Sequence, residues 1–589
     1  SGAIQVNSGC TFNEQGGSVI GDLTNQGTFN YTSGDFADRL FNYGAANFFG
    51  NFTAGDGLAN YGTITVNPAI TLTLNGTGLD NSGILNLAGG ALAGNGPLTN
   101  NSFMSGYGTI AGSAGFINNG FFTQAGGFLF LNNTGPNTNV GVFDLVGGTP
   151  FILGGGATLS NQGTFNLNGA VVSGAGALHN DPGGTIQGQG IISSGFANSG
   201  GVLQVDSTTN IIPAFSNCGV IDLITSGAIL TGGAITNTTG TIQGQGIVGN
   251  SIANTGTIKV LGGDLTLSGG SITNNVGGLI TIPSGLELLV SNGVSTNAGT
   301  IQYRGTFDNN NNPLSNTGFI SGSGTWASGT LTNAGTFQMT GGTSLWDNDV
   351  DNQVGGSFQV TDTTVNFLGT FNNSGTVKST DADITFTGDF IYGGAYISDP
   401  SPTPFSNLIV PAGGYLLGFS QDVFQISNNF DNESTQNTLW NTAAATLQFI
   451  TGTETPTSHD FHIPGTDQGA TFAGYNNNFA WGTLDIAGQT VNLFDGSGTN
   501  GGALYAGLVL GADLNEVDLI VNNILNSNGY TMNIYYNPLL DDNEYLGGLT
   551  YDFLSGHGQL IPTPLPGSVL LLGTGLLGLG LLGRRRKRG

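Results

Sequence analysis

The sequence predicts an all-β protein: a parallel β-helix, or solenoid, of about 19-residue rungs, with a β-rich C-terminal section and a short C-terminal transmembrane helix. Three observations predict this class. A short Asn-containing motif recurs from residue 25 to residue 373, apolar and polar residues alternate within each copy, and the chain ends in an apolar run followed by Arg and Lys. The repeat region (the body) is therefore predicted to form a solenoid, and the terminal apolar and basic segment (the tail) is predicted separately, as a membrane segment.

Composition supports a β-rich body with many turns. Gly accounts for 104 of 589 residues, and charged residues for 8%, against roughly 25% in an average soluble domain. Because 38% of the residues are apolar, the chain has enough apolar surface to bury and is not predicted to be disordered. The net charge of −27 repels phosphates, which excludes nucleic acid as a partner.

The repeated motif is L-x-N-x-G-T-[FIV], as in "LTNQGTFN", "LSNQGTFNL" and "LTNAGTFQM". Nineteen aligned Asn residues give a mean spacing of about 19 residues. They are Asn25, Asn42, Asn60, Asn81, Asn100, Asn118, Asn139, Asn161, Asn180, Asn198, Asn217, Asn237, Asn254, Asn274, Asn297, Asn316, Asn333, Asn352 and Asn373. Repeats of this size are typical of solenoids.

Within each copy, apolar residues stand four and six positions after the Asn, as in Ile64 and Val66. The residue between them is polar, and even the scarce Lys259 and Lys378 occupy this position. Alternation with period two predicts a strand with one buried face. Gly commonly follows the Asn at plus two, where we expect a turn that requires a positive φ.

A strand-turn unit of 19 residues cannot bury its own apolar face, so copies must stack with a rise of about 4.8 Å per rung. We expect the motif Asn side chains to form a hydrogen-bonded column, as Asn ladders do. Its clearest members are Asn25, Asn60, Asn81, Asn161, Asn217, Asn254, Asn333 and Asn373. An array of β-sandwiches is the alternative, but it would repeat near 100 residues.

The repeat divides the chain. We predict a solenoid at residues 1–388, a Pro-rich break at 389–404, a β-rich section or cap at 405–560, and a terminal segment at 561–589. Capping is expected because an exposed strand edge promotes association with further chains. The chain begins in strand-like sequence, and we expect that a secretory signal peptide preceded it.

The terminal segment reads "PTPLPGSVLLLGTGLLGLGLLGRRRKRG". Five of the nine Lys and Arg residues of the chain follow its apolar run directly. Residues 567–583 are near the short limit for spanning a bilayer, and the basic cluster after them predicts a cytoplasmic end. The body would then lie across the membrane.

Pro residues, a short Leu- and Gly-rich helix and a terminal basic cluster, in this order, resemble the PEP-CTERM sorting signal of Gram-negative bacteria. The residues that carry the resemblance are Pro564, Leu565, Pro566, Arg584, Arg585, Arg586, Lys587 and Arg588. Leu565 stands where the name motif has Glu, as in Pro-Leu-Pro variants of the signal. The resemblance implies export, processing by an exosortase-type membrane peptidase, and a place in the cell envelope, cell surface or extracellular matrix alongside exopolysaccharide.

The chain shows no catalytic pattern, and we predict no catalytic residue and no cofactor. Gly556-His557-Gly558 matches the "GHG" of galacturonan hydrolases that share the β-helix shape, but their "RIK" and "NTD" motifs are missing. Outside the tail the basic residues are Arg39, Lys259, Arg304 and Lys378, far apart in sequence, whereas lyases of this shape need a basic proton acceptor.

We also predict no metal site. His459 and His462 are three residues apart with Asp460 between them, but no third ligand is implied. The segment "DLNEVD" at 513–518 lacks the Gly of an EF-hand, and Asp541, Asp542 and Glu544 are expected to be solvated turn residues. Trp326, Trp346, Trp440 and Trp481 are candidates either for stacking on sugars or for core packing.

Only two cysteines occur, Cys10 and Cys218. They lie about eleven rungs apart, far beyond the reach of a disulfide, so we predict that they do not pair within one chain. We expect Cys218 to be exposed, because it replaces a turn residue, and Cys10 to be shielded near the end of the column.

The sequence therefore predicts an exported, non-enzymatic surface or matrix solenoid, structural or adhesive, that self-associates. The alternative is a glycan-active or glycan-binding β-helix on the same scaffold, including a carbohydrate-binding module at 405–560. Two or three carboxylates converging in one groove would favour the enzyme, and their absence would exclude it.

Overall fold

The computed structural model describes residues 2–398, 402–451, 458–498, 501–527 and 529–564. These residues form two compact units, Ser1–Asn310 and Asn311–Gly589. Together the units contain about 22 turns of parallel β-solenoid, which confirms the predicted all-β fold. No helix among the described residues is long and apolar enough to cross a membrane, and the predicted span at 567–583 lies outside them.

The first unit stacks two kinds of strand. Each turn contributes one short strand that ends at or near the motif Asn, here called a motif strand, and each motif strand pairs in parallel with that of the next turn. The motif strands are Ile4–Val6, Leu23–Asn25, Leu40–Asn42, Leu58–Asn60, Leu79–Asn81, Leu98–Asn100, Phe116–Asn118, Asn137–Asn139, Thr158–Asn161, Ala177–Asn180, Gly195–Asn198, Phe215–Asn217, Ile235–Asn237, Ile252–Asn254, Ile272–Asn274 and Val294–Asn297.

The second sheet of this unit receives either two strands or one long strand per turn. The long strand Ile84–Gly94 pairs with both Thr63–Val66 and Thr71–Leu74 of the preceding turn. The strands of this sheet are Thr11–Val19, Thr28–Phe36, Ala45–Phe48, Phe52–Ala54, Thr63–Val66, Thr71–Leu74, Ile84–Gly94, Phe103–Gly112, Phe121–Leu131, Val142–Asp144, Pro150–Leu153, Thr164–Asn166, Val171–Ser173, Thr185–Gln187, Gly190–Ile192, Val202–Val205, Thr208–Ile211, Val220–Leu223, Ile229–Gly232, Thr241–Val248, Thr257–Leu267, Leu279–Ile282, Glu287–Val290, Thr300–Tyr303 and Thr306–Asp308.

The alternating pattern sets which side chains enter the core. In Thr63–Val66, Ile64 and Val66 are fully buried while Thr65 between them is half-buried. Lys259 is half-buried and Lys378 is exposed, so both occupy the predicted outward position. Each turn thus removes apolar side chains from water on one face only, which is why a single turn cannot be stable without its neighbours.

The positive φ expected two residues after the motif Asn is found at Gly200, where φ is 131°, but the expectation was wrong for most copies. Gly62 and Gly163, two residues after the motif Asn, are not among the residues with positive φ. A Cβ atom on Gly62 would lie 2.1 Å from the carbonyl oxygen of Gly44, and one on Gly163 would lie 2.2 Å from that of Gly141. Glycine is needed here because successive turns approach too closely for any side chain.

The second unit is also built from stacked parallel strands. Its strands are Leu314–Asn316, Phe319–Gly322, Thr325–Ala327, Leu331–Asn333, Thr336–Thr340, Thr343–Trp346, Val350–Asn352, Ser357–Thr361, Thr364–Phe367, Phe371–Asn373, Thr376–Thr380, Asp383–Tyr392, Ala395–Ile397, Pro402–Val410, Tyr415–Leu417, Val423–Ile426, Phe430–Asn432, Thr442–Phe449, His459–Ile463, Trp481–Asp485, Val491–Asp495, Gly502–Leu510, Leu514–Asn515, Ile520–Val521, Ile524–Leu525, Met532–Tyr536, Tyr551–Phe553 and Gln559–Pro562. Two short 3₁₀ helices, Phe472–Tyr475 and Asp541–Leu546, lie between them.

Strand pairing continues across the stretch where the sequence predicted a Pro-rich break. Phe390 pairs with Leu408, and Ala395 pairs with Tyr415, so turns before and after residues 399–401 stack in register. Near the end of the described chain the pattern changes to antiparallel pairs, Leu514 with Val521 and Tyr551 with Leu560. Antiparallel closure of this kind reduces the number of unpaired strand edges.

Candidate functional site

The motif Asn residues form a buried hydrogen-bonded column in each unit. In the first unit, fourteen consecutive bonds of 2.6–2.9 Å run from Asn25 to Asn297, and in each the Nδ2 of one Asn donates to the Oδ1 of the next. In the second unit, three such bonds of 2.6–2.7 Å join Asn316, Asn333, Asn352 and Asn373. These side chains are at most 1% exposed.

The second N–H of most column amides reaches a backbone carbonyl on the following turn. Asn60 donates to the carbonyl of Ile84 at 3.0 Å, and Asn100 donates to that of Phe121 at 3.1 Å. A buried amide is tolerated only when its polar atoms are paired. The column is therefore a structural device that holds successive turns in register, and no part of it is open to a ligand.

The column ends where the motif ends. Register pairing places Val6 opposite Asn25 at the start of the first unit's column, and Tyr392 opposite Asn373 at the end of the second unit's column. The degraded motif copies at Asn42, Asn139 and Asn180 still contribute full members. Only the Asn itself is indispensable for the column.

A shallow groove of about 260 Å³ on the outside of the second unit is the strongest candidate for chemistry. Its lining residues are Asp389, Asn407, Ile409, Asn429, Phe430, Asp431, Asp460 and His462. They come from successive turns, because Ile409 pairs with Asp431 and Phe430 with Phe461. Three carboxylates and an imidazole thus line one groove. The condition for excluding an enzyme, an absence of carboxylates that converge in one groove, is therefore not met.

Hydrogen bonds between turns hold these outward side chains in place. Asn407 Nδ2 donates to Asp389 Oδ1 at 3.1 Å, and the backbone N–H of Asp460 donates to Asn429 Oδ1 at 2.9 Å. Asn492 Nδ2 donates to Asp460 Oδ1 at 3.2 Å. The groove wall therefore combines carboxylate and amide side chains that are hydrogen-bonded from turn to turn along the stack.

His462 is the titratable centre of the groove. Its Nδ1 lies 3.1 Å from Asp431 Oδ1, and its ring stacks on Phe494 with centroids 5.0 Å apart. The hydrogen bond with Asp431 raises the pKa of His462 above its ordinary value, against the opposing effect of partial burial, and Asp460 and Glu433 raise it further. A cationic imidazole beside carboxylates can donate a proton or bind an anionic group.

His459, in contrast, faces inward and cannot join His462 in a metal site. Its side chain is 2% exposed, with Nδ1 2.6 Å from the carbonyl oxygen of Asn428 and Nε2 3.0 Å from Gln489 Oε1. Both ring nitrogens are occupied by protein atoms. Within the described ranges, no group of three or more His, Cys, Asp or Glu residues is placed to hold a metal ion.

The other sequence candidates lie in turns, on the surface or in the core. Gly556-His557-Gly558 forms the turn between Tyr551–Phe553 and Gln559–Pro562, with φ of 77° at Gly556 and 139° at Gly558. Asp541, Asp542 and Glu544 are exposed on a 3₁₀ helix. Arg304 is also exposed. The four tryptophans Trp326, Trp346, Trp440 and Trp481 are at most 6% exposed, so they pack in the core and are not free to stack on sugars.

Both cysteines are free, as predicted, and both are exposed. The expectation that Cys10 is shielded was wrong. Cys10 lies in the turn before Thr11–Val19, where its N–H donates to the carbonyl of Asn7 at 3.0 Å and its side chain points into solvent. Cys218 Sγ lies 3.1 Å from Thr238 Oγ1 on the next turn.

Of the predicted sorting-signal residues, only Pro564 lies within the described chain, where it is exposed. The others, which lie outside the described residues, are Leu565, Pro566, Arg584, Arg585, Arg586, Lys587 and Arg588. Sequence reasoning missed Asp389, Asp431 and Asp460 as a group. Their outward position directly next to a buried phenylalanine was the available signal, but it did not show which turns would be neighbours.

The fold and the groove define the class as a β-solenoid protein with an acidic outer groove. No family model matches this chain, and no curated protein matches its sequence.

Proposed function

We propose that this chain is an exported, non-enzymatic β-solenoid that acts as a structural or adhesive component of the cell surface or extracellular matrix. The observation that carries the proposal is the unbroken buried Asn column, with bonds of 2.9 Å or less from Asn25 to Asn297. A repeat held so uniformly over fifteen turns is suited to forming an extended surface. The terminal segment supports export, because its order of Pro residues, apolar run and basic cluster resembles a sorting signal.

In this proposal the tail directs the protein to an exosortase-type membrane peptidase, and the apolar run holds the protein at the membrane until processing. The stacked turns then serve outside the cell, with self-association and exopolysaccharide as the expected means of building a matrix. The scarcity of basic residues in the body, with four among the first 583 residues, keeps the exported part strongly acidic.

Cell fractionation with mass spectrometry of the mature C-terminus tests the proposal. Wild-type protein should be recovered outside the cytoplasm without the tail. A variant with Arg584, Arg585, Arg586, Lys587 and Arg588 replaced by Gln should be retained or misoriented, because it loses the positive charges that set orientation. The matched control replaces Lys259 and Lys378, which lie in the body, and should behave as wild type. Cytoplasmic wild-type protein with an intact tail would contradict export.

A second function, a glycan-active or glycan-binding protein, is favoured by one observation: Asp389, Asp431, Asp460 and His462 line the same groove. Paired carboxylates are the usual acid and base of glycoside hydrolysis. Asp431→Asn and Asp460→Asn should each lower any hydrolysis of polysaccharide by roughly 10²-fold or more. Asp206→Asn, an exposed carboxylate of the first unit, is the matched control. Equal hydrolytic activity of Asp431→Asn, Asp460→Asn and Asp206→Asn would show that the groove is not an active site.

A further inference from the structure

The first unit carries a row of exposed apolar side chains that lie outside its core. Ile84, Phe103 and Phe121 are the first residues of three successive strands and pair directly in register. They are 44%, 40% and 58% exposed. We call these three residues the apolar row. Large apolar residues that are exposed and aligned on consecutive turns indicate a contact surface.

A polar row of Asp80, Asn101 and Asn119 runs beside the apolar row. Asn101 and Asn119 stand two residues before Phe103 and Phe121, and Asp80 stands four residues before Ile84. Asn101 Nδ2 donates to Asp80 Oδ1 at 2.8 Å, and Asn119 Nδ2 donates to Asn101 Oδ1 at 2.8 Å. All three side chains are at the surface. The position of Asn101, directly after the motif Asn, is taken by Ser82 on the turn before it and by Tyr61 and Tyr43 on the two turns before that. The rings of Tyr43 and Tyr61 stack 4.7 Å apart and are 51% and 46% exposed.

The buried Asn column fixes the backbone of the apolar row. Asn60 Nδ2 donates to the carbonyl of Ile84 at 3.0 Å, Asn81 Nδ2 to that of Phe103 at 3.0 Å, and Asn100 Nδ2 to that of Phe121 at 3.1 Å. Each exposed side chain is therefore anchored by a fully buried amide. A surface preorganised in this way loses little conformational entropy when it binds a ligand.

We propose that the apolar row and the polar row together bind a neutral polysaccharide. The C–H faces of sugar rings pack on exposed aromatic and aliphatic side chains, and sugar hydroxyls pair with amides and carboxylates. The apolar row, and Asn101 with Asn119 in the polar row, repeat at the strand spacing of about 4.8 Å, so a periodic ligand can make equivalent contacts there on consecutive turns.

The negative charge of the protein favours a neutral polysaccharide over an anionic one. Asp80 is the charged member of the two rows, and neither row contains Lys or Arg. The whole chain carries a net charge of −27, so a polyuronate or a sulfated glycan would be repelled. A neutral chain meets no such repulsion. This site is on the first unit and shares no residue with the acidic groove, so it stands independently of the groove.

Affinity electrophoresis of the full chain in gels that contain a neutral β-glucan, a neutral mannan or polygalacturonate tests the proposal. The wild type should be retarded by a neutral polysaccharide and not by polygalacturonate. The double variant Phe103→Ser, Phe121→Ser should bind roughly tenfold or more weakly, since two aromatic contacts are lost. Val276→Ser, which changes a side chain that is 79% exposed elsewhere on the first unit, is the matched control.

The outcomes separate cleanly. Loss of retardation in the double variant, with the control unchanged and circular dichroism equal in all, supports the site. No retardation of wild type by either neutral polysaccharide, or equal retardation of the double variant, overturns it. A wild-type dimer in sedimentation that the double variant abolishes would assign the surface to a second copy of the chain instead. Cytoplasmic localisation would contradict the proposed export and leave the binding result unaffected.

Discussion

Asn161 donates its side-chain N–H to Asn180 Oδ1 at 2.9 Å and accepts one from Asn139 Nδ2 at 2.7 Å, and none of the three side chains is exposed to solvent. Each Asn in the interior of the column is thus donor to one neighbour and acceptor from the other. A single replacement there therefore removes one buried hydrogen-bond partner from each of two neighbouring amides.

Asn161→Ala should destabilise the first unit by roughly 3 kcal/mol, because Asn139 Nδ2 and Asn180 Oδ1 both lose a buried partner. Urea denaturation monitored by circular dichroism measures the change. Gln162→Ala, an exposed neighbour on the same turn, is the control and should change stability by less than about 0.5 kcal/mol. Equal stability of the two variants would show that the column does not hold the turns together.

Gly163→Ala should lower stability by about 2 kcal/mol or more, although Gly163 has no positive φ. The new Cβ would lie 2.2 Å from the carbonyl oxygen of Gly141, so adjacent turns must separate. Gly227→Ala is the matched control, since no atom lies within 4 Å of the position of its Cβ. Thermal unfolding of both variants compares them directly. A neutral Gly163→Ala would mean that the turns separate without penalty.

Cys10 and Cys218 should both react with a maleimide in the native protein, because both are exposed and neither is paired. Mass spectrometry after labelling should find both cysteines modified, and both should react with the maleimide as fast as solvent-accessible thiols do. A Cys10–Cys218 peptide in a non-reducing digest of monomeric protein would contradict the stacking of the first unit. A disulfide between two chains would not, since each thiol is open to a second molecule.

The His462–Asp431 pair should make stability depend on pH. The folded pKa of His462 is raised, so the contribution of the pair is fully present below the unfolded value near 6.5 and is lost as pH rises through the folded pKa. Wild type should exceed His462→Gln by about 0.5 kcal/mol at pH 6, with the difference vanishing in alkaline buffer, because both groups are about one third exposed and screened.

An NMR titration of the His462 ring gives the direct measurement. A His462 midpoint at or below 6.5 would contradict the pair, as would a difference between wild type and His462→Gln that grows with pH.

Much of the fold could be predicted because residues with the same structural role recur in every copy of the motif. The buried Asn, the alternating apolar residues and the Gly at the close approach each recur at a nearly constant spacing. Each column residue from Asn25 to Asn373 could therefore be identified from the sequence. The reason for the Gly was not, because the clash between a Cβ on Gly163 and the carbonyl of Gly141 exists only once the turns are stacked.

The groove shows the opposite case. Asp389, Asp431 and Asp460 occupy ordinary outward positions in sequences that have lost the clear motif, and their spacing follows no fixed interval. The loop lengths between successive strands vary there, so the sequence does not reveal which outward residues share a neighbourhood.

The sequence alone determined the solenoid class, the periodic Asn column and the free cysteines, because each depends on spacing along the chain. Only the tertiary structure decided that His462 meets Asp431 while His459 is buried against Asn428 and Gln489, and that Cys10 is exposed. Those outcomes depend on which turn lies against which and on the side of the strand that faces water. The packing between turns determines which turns are neighbours and which side of a strand faces water, and the local sequence pattern does not specify that packing.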